Sequence, residues 1–196
     1  MAKLVYCFDY ASPFSYFAHT QLPALLERTS AEIEYRPSLL GGIFKATGNQ
    51  APMMEKCENK RAYSMKSLQR WVGHYGVPFQ FNPNFPINTV NVMRTCVAAQ
   101  RDGVFEAFHP AMFQAMWVDG RNLGEPDEIA AVASEAGLDG KALVGASQEQ
   151  GVKDTLRANT EATVAAGAFG VPTFLVGDEL FWGADHLHFV EQALAR

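Results

Sequence analysis

The sequence predicts an α/β protein, a small sheet-containing unit interrupted by a long run of helices. Three observations carry this. Leu4 to Phe8 is almost continuously apolar, which suits a strand buried on both faces of a sheet. Thr173 to Trp182 consists of two short apolar runs about Gly177-Asp178, the pattern of a β-hairpin. Between these two regions, apolar residues recur at helical spacing in stripe after stripe.

Pro13 to Arg28 forms the first helix. Pro13 takes the first helical position, where its missing N–H costs nothing, and Tyr16, Phe17, Leu22, Leu25 and Leu26 supply the apolar face. Glu32 to Pro37 is a second strand with Ile33 and Tyr35 on one side, so the chain opens with a right-handed βαβ unit. Gly41-Gly42 and Gly48-Asn49-Gln50-Ala51-Pro52 mark loops. Met65, Leu68, Trp71, Val72 and Tyr75 line a helix that Gly76 and Pro78 close. Asn88 caps another, with Val90, Met93 and Val97 on one face. Phe105, Phe108, Met112 and Met116 mark a third, with a kink expected near Pro110. Pro126 to Ala136 is a short helix ended by Gly137. Val152 to Ala166, ended by Gly167, returns the chain to the hairpin, and Asp185 caps a last helix with Leu187, Val190 and Leu194 inward. This order is that of a thioredoxin-like fold with a large all-helical insertion. Residues 1–38 and 160–196 form the discontinuous thioredoxin-like domain, and residues 39–159 form the helical insertion domain.

Of 196 residues, 48% are hydrophobic and 19% charged, which allows a full core and is not a disordered composition. The net charge of −5 argues against non-specific nucleic-acid binding. No apolar run is long enough to span a bilayer, and Met1 to Val5 leads into a strand without a signal-peptide pattern. The cysteines, Cys7, Cys57 and Cys96, are too widely spaced for a disulfide framework or a zinc site. Cys7 and Cys96 read as core thiols. The histidines, His19, His74, His109, His186 and His188, pair with no cysteine or carboxylate at ligand spacing and read as structural or solvated. No phosphate loop or dinucleotide fingerprint is present. The expectation is a soluble, cytoplasmic, metal-free protein.

The segment Asp9-Tyr10-Ala11-Ser12-Pro13-Phe14-Ser15-Tyr16 carries the functional content. A thioredoxin-type protein keeps its reactive Cys-x-x-Cys pair where the first strand gives way to the first helix. Here both sulfur positions hold hydroxyls, Ser12 and Ser15, and thiol–disulfide exchange needs thiolates. Ser12 is an ordinary N-cap residue on position alone. A hydroxyl at a helix head can also donate to a thiolate carried in by a small molecule, where the helix dipole already favours negative charge. Bringing a thiol from about 8.5 to about 6.5 takes roughly 2.7 kcal/mol, within reach of one charge-assisted hydrogen bond and a helix terminus. Ser15 is expected to bond within the first turn.

Six segments in order resemble the 2-hydroxychromene-2-carboxylate isomerases and kappa-class glutathione transferases, a branch of the DsbA-like thioredoxin superfamily. They are Phe8-Asp9-x-x-Ser12-Pro13-Phe14-Ser15-Tyr16, Gly48-Asn49-Gln50-x-Pro52, Leu68-Gln69-Arg70-Trp71, Phe85-Pro86-x-Asn88-Thr89, Phe169-Gly170-Val171-Pro172-Thr173 and Phe181-Trp182-Gly183-Ala184-Asp185. The resemblance implies glutathione as cofactor and a homodimer. Ser12 would bond the glutathione sulfur. Pro172 would be cis, with the Val171 backbone pairing with the cysteinyl backbone like a short added strand. Ala184 and Asp185 would hold the γ-glutamyl end, and Asn49 would contact glutathione or substrate. Phe14, Lys45 and Tyr63 are the further substrate-binding candidates, although a surface role serves Lys45 equally well. Met53-Met54-Glu55 departs from polar residues found after this loop in some isomerases.

The expected activity is glutathione-dependent isomerisation of 2-hydroxychromene-2-carboxylate, or a related aromatic catabolite, to trans-o-hydroxybenzylidenepyruvate. Thiolate addition permits rotation and elimination regenerates glutathione. A kappa-type transferase or peroxidase is the rival that shares the thiolate but consumes glutathione. A non-catalytic thioredoxin-fold binding module is the rival of another class.

Overall fold

The computed structural model describes residues 2–196, so Met1 of the expected N-terminal segment lies outside it. In chain order the elements are β1 (Lys3–Phe8), α1 (Pro13–Thr29), β2 (Glu32–Pro37), α2 (Leu40–Thr47), a 3-10 turn at Pro52–Met54 and α3 (Glu58–Tyr75). There follow α4 (Val90–Arg101), α5 (Phe105–Trp117), α6 (Pro126–Glu135), α7 (Gly140–Ala146) and α8 (Gln150–Ala165). The chain closes with β3 (Thr173–Val176), β4 (Glu179–Trp182), a 3-10 turn at Ala184–His186 and α9 (Leu187–Leu194). This is the thioredoxin-like α/β fold with a helix-rich stretch between β2 and β3.

The sheet runs β2-β1-β3-β4. β1 and β2 are parallel, with Tyr6 opposite Tyr35, whereas β3 is antiparallel to β1 and to β4. Alternation along β1 sends Leu4, Tyr6 and Phe8 into the main core and Cys7 into a smaller cluster with Ile43 and Val171. Tyr6 stacks on Phe174 at 5.4 Å and on Phe8 at 5.2 Å. Each such aromatic, fully buried, contributes roughly 1.5–3 kcal/mol by removal from water. The same core continues without a break into Met93, Phe108, Phe113 and Trp117 of the helical stretch.

Three expectations are corrected. Gly41-Gly42 is not a loop but lies inside α2. That helix buries Ile43, and Gly42 packs so near α8 that a Cβ would lie 3.1 Å from Thr160 Cγ2. The small residue at Gly42 serves helix packing, which local propensity does not reveal. Asp185 does not cap the last helix. It sits within the 3-10 turn, and α9 begins at Leu187 without a side-chain cap. Asn88 stands one residue before the cap position of α4, Thr89, although its Oδ1 does accept the Val90 N–H at 3.1 Å. Helix α7 is an addition that the apolar spacing did not indicate. Asp139 caps it by accepting the Ala142 N–H at 3.0 Å, and Gly140 meets the Ala130 backbone where no Cβ fits.

Asp9, the residue after β1, is fully buried. Its carboxylate accepts the Ala11 N–H at 2.9 Å and the Leu40 N–H at 2.8 Å, tying the β1–α1 turn to the head of α2. Burial pushes the carboxyl above its ordinary pKa, and these bonds, with one from Thr89, pull part of the way back. Asp9→Ala is expected to lower stability by about 2–4 kcal/mol in urea denaturation, because two backbone N–H groups lose their acceptor. Folding raises this pKa, so the group's contribution is full below the ordinary carboxylate value and is lost as pH rises through the folded value. Asp9→Asn is expected to lose that part of the pH dependence, read from denaturation midpoints across mildly acidic pH.

Candidate active site

The site begins where β1 ends. Ser12 has extended backbone (φ −97°, ψ 115°) and caps α1, with Pro13 at the first helical turn. Its Oγ accepts the Ser15 N–H at 3.2 Å and donates to the Val171 carbonyl at 3.0 Å. The residue is 5% exposed and Val171 7%. The Val171–Pro172 peptide is cis, as is Phe85–Pro86. The head of the first helix and the loop before β3 therefore meet at one hydroxyl. Among the described residues, the Val171 N–H has no acceptor.

Two neighbouring segments are bonded to this loop. Gly183 N–H donates to the Pro172 carbonyl at 3.0 Å, which places Ala184 and Asp185 beside the cis-proline loop. Ala184 is buried and Asp185 exposed. On the other side, Asn49 Nδ2 donates to the Phe169 carbonyl at 2.8 Å while its Oδ1 accepts the Gln50 N–H at 2.8 Å. Both ends of the Asn49 amide are thus engaged in bracing the segment that leads to Val171. Thr173 Oγ1 donates to the Gly170 carbonyl at 2.7 Å from within. At Gly170 a Cβ would lie 2.8 Å from the Trp182 indole nitrogen, so a larger residue would displace that ring.

Hydrogen bonds link Ser12 to Val171, the Gly183 that precedes Ala184 and Asp185 to Pro172, and Asn49 to Phe169 of the same loop. The other three predicted residues, Phe14, Lys45 and Tyr63, lie on α1, α2 and α3. Phe14 is half-buried edge-on to Phe17 at 5.7 Å. Lys45 is exposed on the last turn of α2. Tyr63 is 61% exposed on α3, with the Arg70 guanidinium 5.6 Å from its ring centre. Ser15 is corrected in part. Its N–H bonds within the first turn and its carbonyl accepts the Tyr6 hydroxyl at 2.6 Å, but its own hydroxyl is buried without a partner.

Sequence reasoning did not assign roles to Asp9 or Tyr75. Asp9 was visible as a carboxylate ending an apolar strand. Tyr75, whose hydroxyl donates to the Ala184 carbonyl at 2.9 Å, gave no sign beyond its place in a helical stripe. The histidine reading holds for His109, which is buried and within 3.0 Å of the Tyr10 hydroxyl through Nδ1. Burial pushes its pKa well down. Cys7 and Cys96 are buried, and burial pushes the Cys96 thiol up to about 12. Among the described residues, no group of three or more His, Cys, Asp or Glu is placed to hold a metal, and no helix is long and apolar enough to cross a membrane.

The profile of the DSBA-like thioredoxin domain matches residues 3–195. A 2-hydroxychromene-2-carboxylate isomerase of Sphingobium xenophagum is 34% identical over 196 residues, covering 99% of each chain. Glutathione S-transferase kappa 1 of Rattus norvegicus is 26% identical over 201 residues, covering 95% of this chain and 88% of the relative. The solved structure of a 2-hydroxychromene-2-carboxylate isomerase superimposes with a TM-score of 0.86 at 29% identity, over 99% of this chain and 95% of that one. The chain therefore belongs to the DSBA-like thioredoxin family, in the branch that holds the 2-hydroxychromene-2-carboxylate isomerases and the kappa-class glutathione transferases.

Proposed function

We propose that this protein is a glutathione-dependent isomerase that converts 2-hydroxychromene-2-carboxylate, or a related aromatic carboxylate, to trans-o-hydroxybenzylidenepyruvate. The observation that carries the reading is the placement of the Ser12 hydroxyl between the head of α1 and the Val171 carbonyl, the position at which a thioredoxin-type Cys-x-x-Cys motif begins. The isomerase relatives at 30–34% identity supply the reaction class.

The hydrogen bonds around Ser12 fit a cysteinyl peptide. If the hydroxyl turns its proton toward an incoming sulfur, the nearly buried Val171 carbonyl loses its donor. A buried carbonyl left unpaired costs about 1–3 kcal/mol. A ligand that takes the Ser12 proton must therefore also bring an N–H. The cysteinyl residue of glutathione carries both groups, and its carbonyl suits the free Val171 N–H as in strand addition. Ala184 and the Asp185 carboxylate would receive the γ-glutamyl end, Asp185 facing its ammonium.

When bound, glutathione would supply a nucleophilic sulfur whose reversible addition makes a double bond single, so that rotation can occur before elimination returns the cofactor unconsumed. Ser12 contributes the charge-assisted hydrogen bond that lowers the thiol pKa, and the dipole at the head of α1 favours the same negative charge. Asn49 keeps the 169–172 segment in place. Phe14, Lys45 and Tyr63 are assigned to the substrate side, with Lys45 for the carboxylate. The partition into residues 1–38 with 160–196 and the insertion 39–159, the homodimer and the cytoplasmic location belong to the same reading. A kappa-type transferase is the second reading, favoured by the kappa-class relative and by the same Ser12 geometry.

Equilibration of 2-hydroxychromene-2-carboxylate, followed by absorbance, is expected to need catalytic glutathione and to leave its concentration unchanged. Net consumption of glutathione with an electrophile, and no isomerisation, would replace the isomerase reading with the transferase one. Ser12→Ala is expected to lower kcat/KM by roughly 30–150-fold, the value of a charge-assisted bond of about 2–3 kcal/mol. The same variant is expected to raise the thiol pKa of bound glutathione, measured by ultraviolet titration, so that activity is lost at higher pH than in the wild type. An unchanged thiol pKa would remove Ser12 from its role.

A further inference from the structure

The Ala184–Asp185 turn is held from outside the thioredoxin-like half. Tyr75, the last residue of α3, donates its hydroxyl to the Ala184 carbonyl at 2.9 Å, across 109 residues of sequence. That carbonyl also accepts the N–H of Leu187, so the phenol completes its two acceptor sites. The Tyr75 ring is itself fixed, stacked on Trp71 at 5.5 Å and packed against Phe17 of α1 at 5.9 Å. Two residues beyond α3's cap at Gly76, the Pro78 carbonyl accepts the Tyr16 hydroxyl at 2.7 Å. These contacts matter because α3 has little other hold: of its 18 residues only Leu68 is buried.

The turn is shaped to present its carboxylate. Gly183 has φ +98°, and a Cβ there would overlap Asp185 Oδ1, so the Asp185 side chain lies folded back over the glycine. Asp185 also lies close enough to Tyr75 for its charge, after burial, to help push the phenol up to about 12. The hydroxyl therefore remains a donor throughout the neutral range.

We propose that Tyr75 is a positioning residue for γ-glutamyl recognition, its bond to the Ala184 carbonyl fixing the turn that aims Asp185 at the ligand's ammonium. This rests on the assignment of Ala184 and Asp185 to the γ-glutamyl end of glutathione. It adds that an aromatic residue of the inserted helices, without touching the ligand, sets the preference for a γ-glutamyl peptide over a shorter thiol. It also gives α3 a reason to end where it does. Tyr75 must be the last helical residue, with Gly76 in the left-handed region turning the chain away behind it.

The test is calorimetric binding of glutathione and of cysteinylglycine, which lacks the γ-glutamyl group, to wild type, Tyr75→Phe, Asp185→Asn and the double variant. Phenylalanine keeps the stacking and removes only the hydroxyl. Tyr75→Phe is expected to weaken glutathione roughly 3–10-fold, the worth of one hydrogen bond, and to change cysteinylglycine less than about 2-fold. In the Asp185→Asn background the same change is expected to cost less than about 2-fold, because its effect passes through that carboxylate. The thiol pKa of bound glutathione is expected not to move. Equal weakening of both peptides would overturn the proposal in favour of general support of the fold, and no weakening of either would overturn it outright. A wild type that binds the two peptides equally would remove the γ-glutamyl assignment itself, and the positioning role with it. Normal wild-type preference that survives Tyr75→Phe would remove the positioning role alone.

Discussion

Ser12 Oγ accepts a backbone N–H from the first turn of α1 and donates to the carbonyl of Val171, 159 residues later. The rest of the site is arranged about that pair of bonds. It makes the helix head and the cis-proline loop one surface, although they lie at opposite ends of the chain. Both partners are nearly buried, so leaving either one unpaired is costly. That constraint restricts what can bind. A ligand that engages the Ser12 proton through sulfur must also satisfy Val171, which a peptide backbone does and a simple thiol does not.

The supports of this pair come from three directions, and all of them hold backbone groups. Asp9 holds the turn before Ser12 against α2. Asn49 and Thr173 hold the segment before Pro172 at Phe169 and Gly170. Gly183 bonds Pro172, and Tyr75 bonds Ala184. Each support fixes a backbone group around Ser12 and Val171, so a ligand bound there would cost these groups little freedom. Ser12 follows β1 and Pro172 precedes β3, and these strands carry the stacked Phe8, Tyr6 and Phe174 of the core. A site anchored to them is held by rigid elements.

The replacement of both cysteine positions by serine has different consequences at the two places. Ser12 Oγ gains two partners, as a hydroxyl can and a thiol does only weakly. Ser15 Oγ is buried without one, beneath a backbone carbonyl already occupied by Tyr6. The fold thus keeps the first position as a working hydrogen-bonding group and the second as little more than a small side chain.

The sequence by itself indicated the strands, the hairpin and most of the helices, because these rest on local periodicity and on turn residues, and it singled out Ser12 as a candidate through a replaced Cys-x-x-Cys pair. It did not determine that Gly41 and Gly42 are helical, since propensity disfavours glycine in a helix and the close approach of α8 at Gly42 is a tertiary contact. Nor did it place Asp185 within a 3-10 turn rather than at a helix cap, because the Gly183 backbone and the Pro172 carbonyl decide where that turn begins. Asn49 was legible as a loop residue, but its bond to Phe169 lies 120 residues away. Asp9 and Tyr75 took their roles only from tertiary structure. Their partners, Leu40 and Ala184, are backbone groups, and a backbone group has no identity in sequence through which such a pairing could be read.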